Sequence, residues 1–112
     1  MKIEFGDRKL EKRCASEATR LRAFGKVRAK KLAIRLTSLE AAEILGDLRN
    51  VPGRFHELTG DLDGELAADL DHPYRLIFEP AIPDHAEAAH ADGLAWSLIK
   101  HVRILRIEDY HD

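Results

Sequence analysis

Two hydrophobic rhythms divide this chain, and they meet at Asn50-Val51-Pro52-Gly53. Ahead of that point apolar residues recur at spacings of three and four, which line one face of an α-helix. Beyond it they alternate with polar residues, as on a half-buried strand. The four residues between read as a turn, because proline lacks the amide hydrogen that a continuing helix needs and glycine tolerates backbone angles that other residues avoid.

The helical part is preceded by Lys2-Ile3-Glu4-Phe5, where Ile3 and Phe5 alternate with charge and predict a short first strand. Asp7 is placed to cap a helix with apolar positions Leu10, Cys14, Ala18 and Leu21, broken by Gly25. A second helix from about Lys26 carries Val27, Ala29, Leu32, Ala33 and Leu36. Thr37 and Glu40 have the capping-box spacing of a short third helical stretch that ends near Gly46.

In the second part, Arg54 to Leu58 and Glu65 to Leu70 flank Thr59-Gly60-Asp61-Leu62-Asp63-Gly64, and the Asp63-Gly64 pair signals a tight hairpin. Leu66, Ala68 and Leu70 share a face. After a turn at His72-Pro73, alternation puts Tyr74, Leu76 and Phe78 on one side of a strand and Arg75, Ile77 and Glu79 on the other. Residues 80–95 are polar, bounded by proline and long for a connection, which predicts a mobile loop with room for a loose helical turn. The last strand, Val102 to Glu108, is apolar on both faces, as an interior strand is, and delivers Asp109, Tyr110 and His111 to its exit. The expected fold is therefore α+β. A short N-terminal strand and a helical hairpin pack on one face of a mostly antiparallel sheet of four to five strands, within one domain spanning residues 1–112. The other sheet face is left to carry function.

Charge is distributed unevenly along that fold. Residues 1–35 hold 12 Lys+Arg against 4 Asp+Glu, whereas residues 36–112 hold 6 against 16. Arg20, Arg22, Lys26, Arg28, Lys30 and Lys31 crowd the helix junction at Gly25, a density suited to polyanions or an acidic partner and also to a solvated helix face. No apolar leader and no stretch near the roughly 18 apolar residues of a membrane span are present, so a soluble cytoplasmic protein is expected. The single cysteine, Cys14, precludes an internal disulfide and reads as a small apolar helix residue.

Metal chemistry finds little support. His85, Glu87 and His90 do not have the spacing that puts two histidines one helical turn apart, and Asp61-Leu62-Asp63-Gly64 lacks the remaining ligands of a calcium loop. No cofactor is expected.

Four stretches in order, Arg54-Phe55-His56-Glu57-Leu58-Thr59-Gly60-Asp61, Pro73 to Pro80, a tryptophan after a loop, and Ile107-Glu108-Asp109-Tyr110-His111, resemble the RelE/ParE toxin superfamily, in particular its HigB-like plasmid-maintenance branch. The resemblance covers nearly the whole chain. It implies a small toxin of a type II toxin-antitoxin system, encoded beside a helix-turn-helix (HigA-like) antitoxin with which it forms a hetero-oligomer. Active members of this superfamily cleave mRNA at the ribosome.

Metal-free RNA cleavage needs a base for the 2′-hydroxyl, cations for the phosphorane and an acid for the leaving oxygen, and histidine suits both proton roles. By resemblance, His56, Asp109, Tyr110 and His111 fall where the HigB-like branch keeps its active residues, and Arg75 matches the arginine that faces the scissile phosphate. On this reading His56 and His111 share the proton transfers, Arg75 steadies transition-state charge, Asp109 orients or assists the base, and Tyr110 bonds the phosphate or stacks on a base. The residues alone also permit plainer roles: His56 on a solvated strand face, Arg75 paired with Glu79 or Glu57, and residues 109–111 as a polar tail. Relatives usually carry basic residues in the turn after His-Glu-Leu, where this chain has Thr59, Leu62 and Asp63. The alternatives on the same fold are a ParE-like inhibitor of DNA gyrase and a degenerate toxin that retains only antitoxin binding.

Overall fold

The structure, a computed structural model, describes residues 1–81, 89–90 and 93–110. The chain opens with β1 (Lys2–Phe5), α1 (Arg8–Cys14), α2 (Glu17–Phe24) and α3 (Lys26–Ala41), followed by a 3-10 turn at Leu45–Leu48. Next come β2 (His56–Glu57), β3 (Leu66–Asp69), β4 (Tyr74–Pro80), β5 (Ala89–His90), β6 (Gly93–Leu94) and β7 (His101–Asp109). Five strands form one sheet in the order β1-β7-β4-β3-β2, antiparallel except where β1 runs parallel to β7, and β5 pairs with β6 separately. The expected α+β architecture is present, and β7 is the interior strand between β1 and β4.

One expected helix is two. Ser16 starts a new helix because its hydroxyl accepts the Thr19 amide at 3.1 Å while the Thr19 hydroxyl accepts the Ser16 amide at 3.0 Å. That reciprocal cap breaks the run from Leu10 to Leu21. Leu10 and Cys14 are buried, but α2 buries no residue and Leu21 is 51% exposed. The stretch beginning at Thr37 is not separate either, since Thr37 and Glu40 lie inside α3, which buries Ala29, Leu32, Leu36 and Leu39. Gly46 belongs to the 3-10 turn. Of the span 80–95, residues 82–88 and 91–92 lie outside the described residues, and the described part contains β5 and β6 rather than a helical turn.

Leu32, Leu36 and Leu39 of α3 pack with Leu66, Ala68, Leu76, Phe78, Val102 and Ile104 of the sheet, so the helices cover one face. Burial also pushes the Cys14 thiol up to about 11, which keeps it protonated and unreactive. On β7 the core residues are Val102, Ile104 and then Ile107, a step of three instead of two. The β4–β7 ladder shows why: Ile77 pairs with Arg106 but Phe78 with Ile104, leaving Leu105 as an extra residue. This β-bulge turns the rest of β7 over. Arg103, Arg106 and Glu108 thereby share the face away from the helices, opposite Glu79, Ile77 and Arg75.

The turn that leads into β2 is tightly specified. Gly53 has φ +119, and a Cβ there would stand 2.6 Å from Arg35 Nε, which donates to the Asp69 carbonyl at 2.7 Å. The Asp69 amide in turn donates to the Gly53 carbonyl at 2.7 Å. Gly53→Ala should therefore lower unfolding stability by about 1–3 kcal/mol in urea titrations, through unfavourable φ and displacement of Arg35.

Candidate functional site

The bulge and the strand registers arrange the outer sheet face in rows. His56, Ala67, Ile77 and Arg106 stand side by side on β2, β3, β4 and β7. In the adjacent row Asp69 pairs with Arg75, and Arg75 with Glu108. Arg54, two residues before His56, completes this row by donating to Asp69 from Nε at 2.8 Å and Nη2 at 3.1 Å. The row alternates cation, anion, cation, anion.

Arg75 is 8% exposed, the one charged residue in the buried class among those described. Its Nε and Nη2 both donate to Glu108 Oε2, at 3.2 and 2.9 Å, and its guanidinium carbon lies 3.9 Å from the centre of the Tyr110 ring. Tyr110 is held there by its own amide, which donates to the Pro73 carbonyl at 2.8 Å. Arg54, Asp69, His72, Tyr74, Arg75 and Tyr110 border an open cavity of about 490 Å³, within the size range of small-molecule sites. Arg106 braces the lattice from the next row, reaching Glu65 at 2.8 Å and Glu108 at 3.4 Å.

His56 is half-buried one row away and does not border that cavity. Two strand spacings, roughly 10 Å, separate its strand from that of Arg75. Its Nδ1 lies 2.6 Å from the Arg54 carbonyl oxygen. A carbonyl only accepts, so Nδ1 carries the proton and the neutral ring keeps its lone pair on Nε2, the state a general base requires. Glu57, its neighbour, faces the helix side and accepts from the Leu94 amide and Trp96 Nε1, both at 2.9 Å.

Thus the structure brings Arg75 and Tyr110 together and keeps His56 on the same face. Asp109 pairs in the ladder with Tyr74, which packs against the helix-side core, so the register sets Asp109 on the opposite face from Arg75. His111, His85 and Glu87 lie outside the described residues, and only the backbone of His90 is described. Sequence reasoning missed Arg54, Asp69, His72 and Glu108. Arg54 was within reach, because a residue two before His56 shares its strand face. Glu108 was not, because without the bulge it would point toward the helices.

The six helix cations divide as well. Arg28 is bound to Asp71 by two hydrogen bonds of 3.0 and 3.2 Å and stacks 3.4 Å over Tyr74, while Arg20 donates to the Cys14 carbonyl at 2.8 Å. Arg22, Lys26, Lys30 and Lys31 are exposed. The turn after His-Glu-Leu contains a 3-10 segment at Gly60–Leu62 and leaves Thr59 and Asp63 exposed, with no cation. Among the described residues no cluster of metal-ligating side chains occurs and no helix is long and apolar enough to cross a membrane.

No family model matches the chain, and no curated protein matches it. Among solved structures, the YoeB dimer from Staphylococcus aureus matches with a TM-score of 0.55 and 19% identity, over 100% of this chain and 98% of that chain. At that identity the likeness is one of fold: three helices and a five-stranded, mostly antiparallel sheet.

Hydrogen bonding from Arg75 holds the Glu108 carboxyl below the usual carboxylate range, and Arg106 acts in the same direction against partial burial. A carboxyl with a depressed folded-state pKa adds stability above its unfolded pKa of about 4.3, and that stability is lost as pH falls through the lower folded value. Glu108→Gln should lose about 1–3 kcal/mol at pH 7 and show a shallower acid limb in urea titrations from pH 7 to 2.

Proposed function

We propose that this chain is the toxin of a type II toxin-antitoxin system and an endoribonuclease that cuts mRNA on the ribosome, without a metal, and so blocks translation. The observation that carries this reading is Arg75, buried against the sheet, stacked under Tyr110 and open to a nucleotide-sized cavity. The fold likeness to YoeB accords with the RelE/ParE resemblance, and the HigB-like branch is the part of that superfamily whose motif includes His56 and Asp109-Tyr110-His111.

In this mechanism His56 takes the 2′-hydroxyl proton through Nε2, the nitrogen left available by the Arg54 carbonyl. The 2′-oxygen attacks phosphorus, Arg75 neutralises the charge gathering on the non-bridging oxygens, and His111 protonates the leaving 5′-oxygen. Tyr110 bonds the phosphate or stacks on a base, whereas Asp109, set on the opposite face, is given no step. Arg75 already spends two of its donors on Glu108, so Glu108 aims the guanidinium and the remaining Nη1 edge is directed to phosphate. The partners are a HigA-like helix-turn-helix antitoxin, the ribosome and mRNA, in the cytoplasm.

Expression in growing bacteria, followed by mapping of RNA 5′ ends on translated messages, tests the reading. New ends confined to translated messages are expected. His56→Ala should lower the cleavage rate by about 10² to 10⁴, the usual worth of a positioned acid or base. A loss of that size from His72→Ala and none from His56→Ala would move the base into the cavity. Growth arrest with no cleavage, unchanged by either substitution, would instead indicate a ParE-like gyrase inhibitor.

The exposed helix cations generate a separate expectation. Reversing Lys26, Lys30 and Lys31 to Glu should weaken ribosome association and flatten its salt dependence while leaving thermal stability nearly unchanged, because none of the three is buried. Salt-insensitive ribosome binding by the parent chain would assign this surface to the antitoxin or to solvent.

A further inference from the structure

We propose that Arg54 is a second phosphate-binding cation of this site, held in reserve by Asp69, and that it grips a phosphate of single-stranded RNA next to the one facing Arg75. The inference rests on the endonuclease reading for its ligand; its observations are the backbone conformation, the hydrogen bonds and the exposure of Arg54.

Arg54 has φ +50, a left-handed conformation that is unfavourable for a residue with a Cβ. Such strain persists where surrounding structure enforces it and concentrates at functional positions. Here the enforcing contacts are the backbone bond between Asp69 and Gly53 and the Arg35 bond to the Asp69 carbonyl. Those two contacts already pin the turn to β3, so the side-chain pair between Arg54 and Asp69 is not needed to hold it. The pair is also solvent-accessible, with side chains 66% and 39% exposed. An ion pair that exposed contributes little net stability, so an incoming phosphate can displace the carboxylate.

Position completes the argument. Arg54 borders the same cavity as Arg75, across the side chain of Asp69. Two cations with one strand between them along a groove suit successive phosphates of an extended strand. Arg54 also supplies, from before β2, the positive charge that Thr59, Leu62 and Asp63 do not supply from the turn after it.

The test is binding of a 2′-O-methyl RNA oligonucleotide, which cannot be cleaved, measured by fluorescence anisotropy over a range of salt with the full chain. Arg54→Gln should weaken binding and reduce the slope of log K against log salt by about 0.7, the contribution of one single-strand phosphate contact. Arg54→Lys should keep the slope. Asp69→Asn, which frees Arg54 and retains its charge, should bind up to about fivefold tighter, the release of one exposed ion pair.

Weaker binding by Asp69→Asn, an unchanged slope in folded Arg54→Gln, or no binding by the parent chain at low salt would overturn the proposal. If Arg54→Gln fails to fold, Asp69→Asn decides alone. Cleavage of translated message by a parent chain whose RNA binding ignores Arg54 would remove this proposal and leave the nuclease. Arg54-dependent binding without cleavage would do the reverse.

Discussion

A guanidinium buried in the middle of a sheet is tolerated only if its charge and donors are met, because desolvating an unpaired ion costs several kcal/mol. Arg75 imposes that condition on this fold. Its partner, Glu108, sits on the neighbouring strand and can face it only because Leu105 is inserted into the β4–β7 ladder. One bulge therefore does two things: it keeps Val102, Ile104 and Ile107 on the helix side, and it brings Arg103, Arg106 and Glu108 to the other. Were the same residues paired in a regular ladder with no bulge, Glu108 would stand opposite Tyr74, toward the core, and Arg75 would face Ile107.

The same requirement gives the outer face its character. Five acidic side chains, Glu4, Glu65, Asp69, Glu79 and Glu108, interleave with Arg54, Arg75, Arg103 and Arg106. Such a lattice is close to neutral, unlike the strongly basic surfaces that attract nucleic acid by field alone. Under the proposed function, recognition on this face depends on local exchange of partners. The buried members, Arg75 above all, are fixed in direction by carboxylates, and the accessible pair of Arg54 and Asp69 is the one proposed to open. Long-range attraction is left to the helix side, where Arg22, Lys26, Lys30 and Lys31 stand exposed on helices that cover the opposite sheet face. Arg28 and Tyr74, stacked where the helices meet the β3–β4 turn, join the two regions.

The parts of this fold legible in the sequence are those set by local chemistry. The alternation in Lys2–Phe5 and Tyr74–Pro80, the NVPG turn and the burial of Leu32 and Leu36 all follow from spacing and from proline and glycine. The break at Ser16 was missed because the apolar spacing from Leu10 to Leu21 runs through it, although the Ser16 and Thr19 reciprocal cap outweighs that spacing. Arg75 was legible as an outward residue, but its partner was not, since neither Glu79 nor Glu57 holds it. Strand alternation carries no information about an inserted residue, and a bulge inverts every assignment beyond it. That is why Glu108, passed over between Ile107 and Asp109, stands where Asp109 had been expected.

The inversion also changes how the end of the chain contributes. Tyr110 returns to the outer face and lies over Arg75, so the guanidinium is gripped edge-on by a carboxylate and face-on by a ring. Both contacts are planar and together leave few orientations open, the preorganisation that makes a cation effective toward charge that develops only in a transition state. His56 is fixed by a different device, a backbone carbonyl that selects its tautomer. That carbonyl belongs to Arg54, so the strained turn at Gly53 and Arg54 positions the proposed base and the proposed phosphate-binding cation at once. On the proposed mechanism, changes to the turn should couple proton transfer to phosphate binding, even though His56 and Arg75 lie two strands apart.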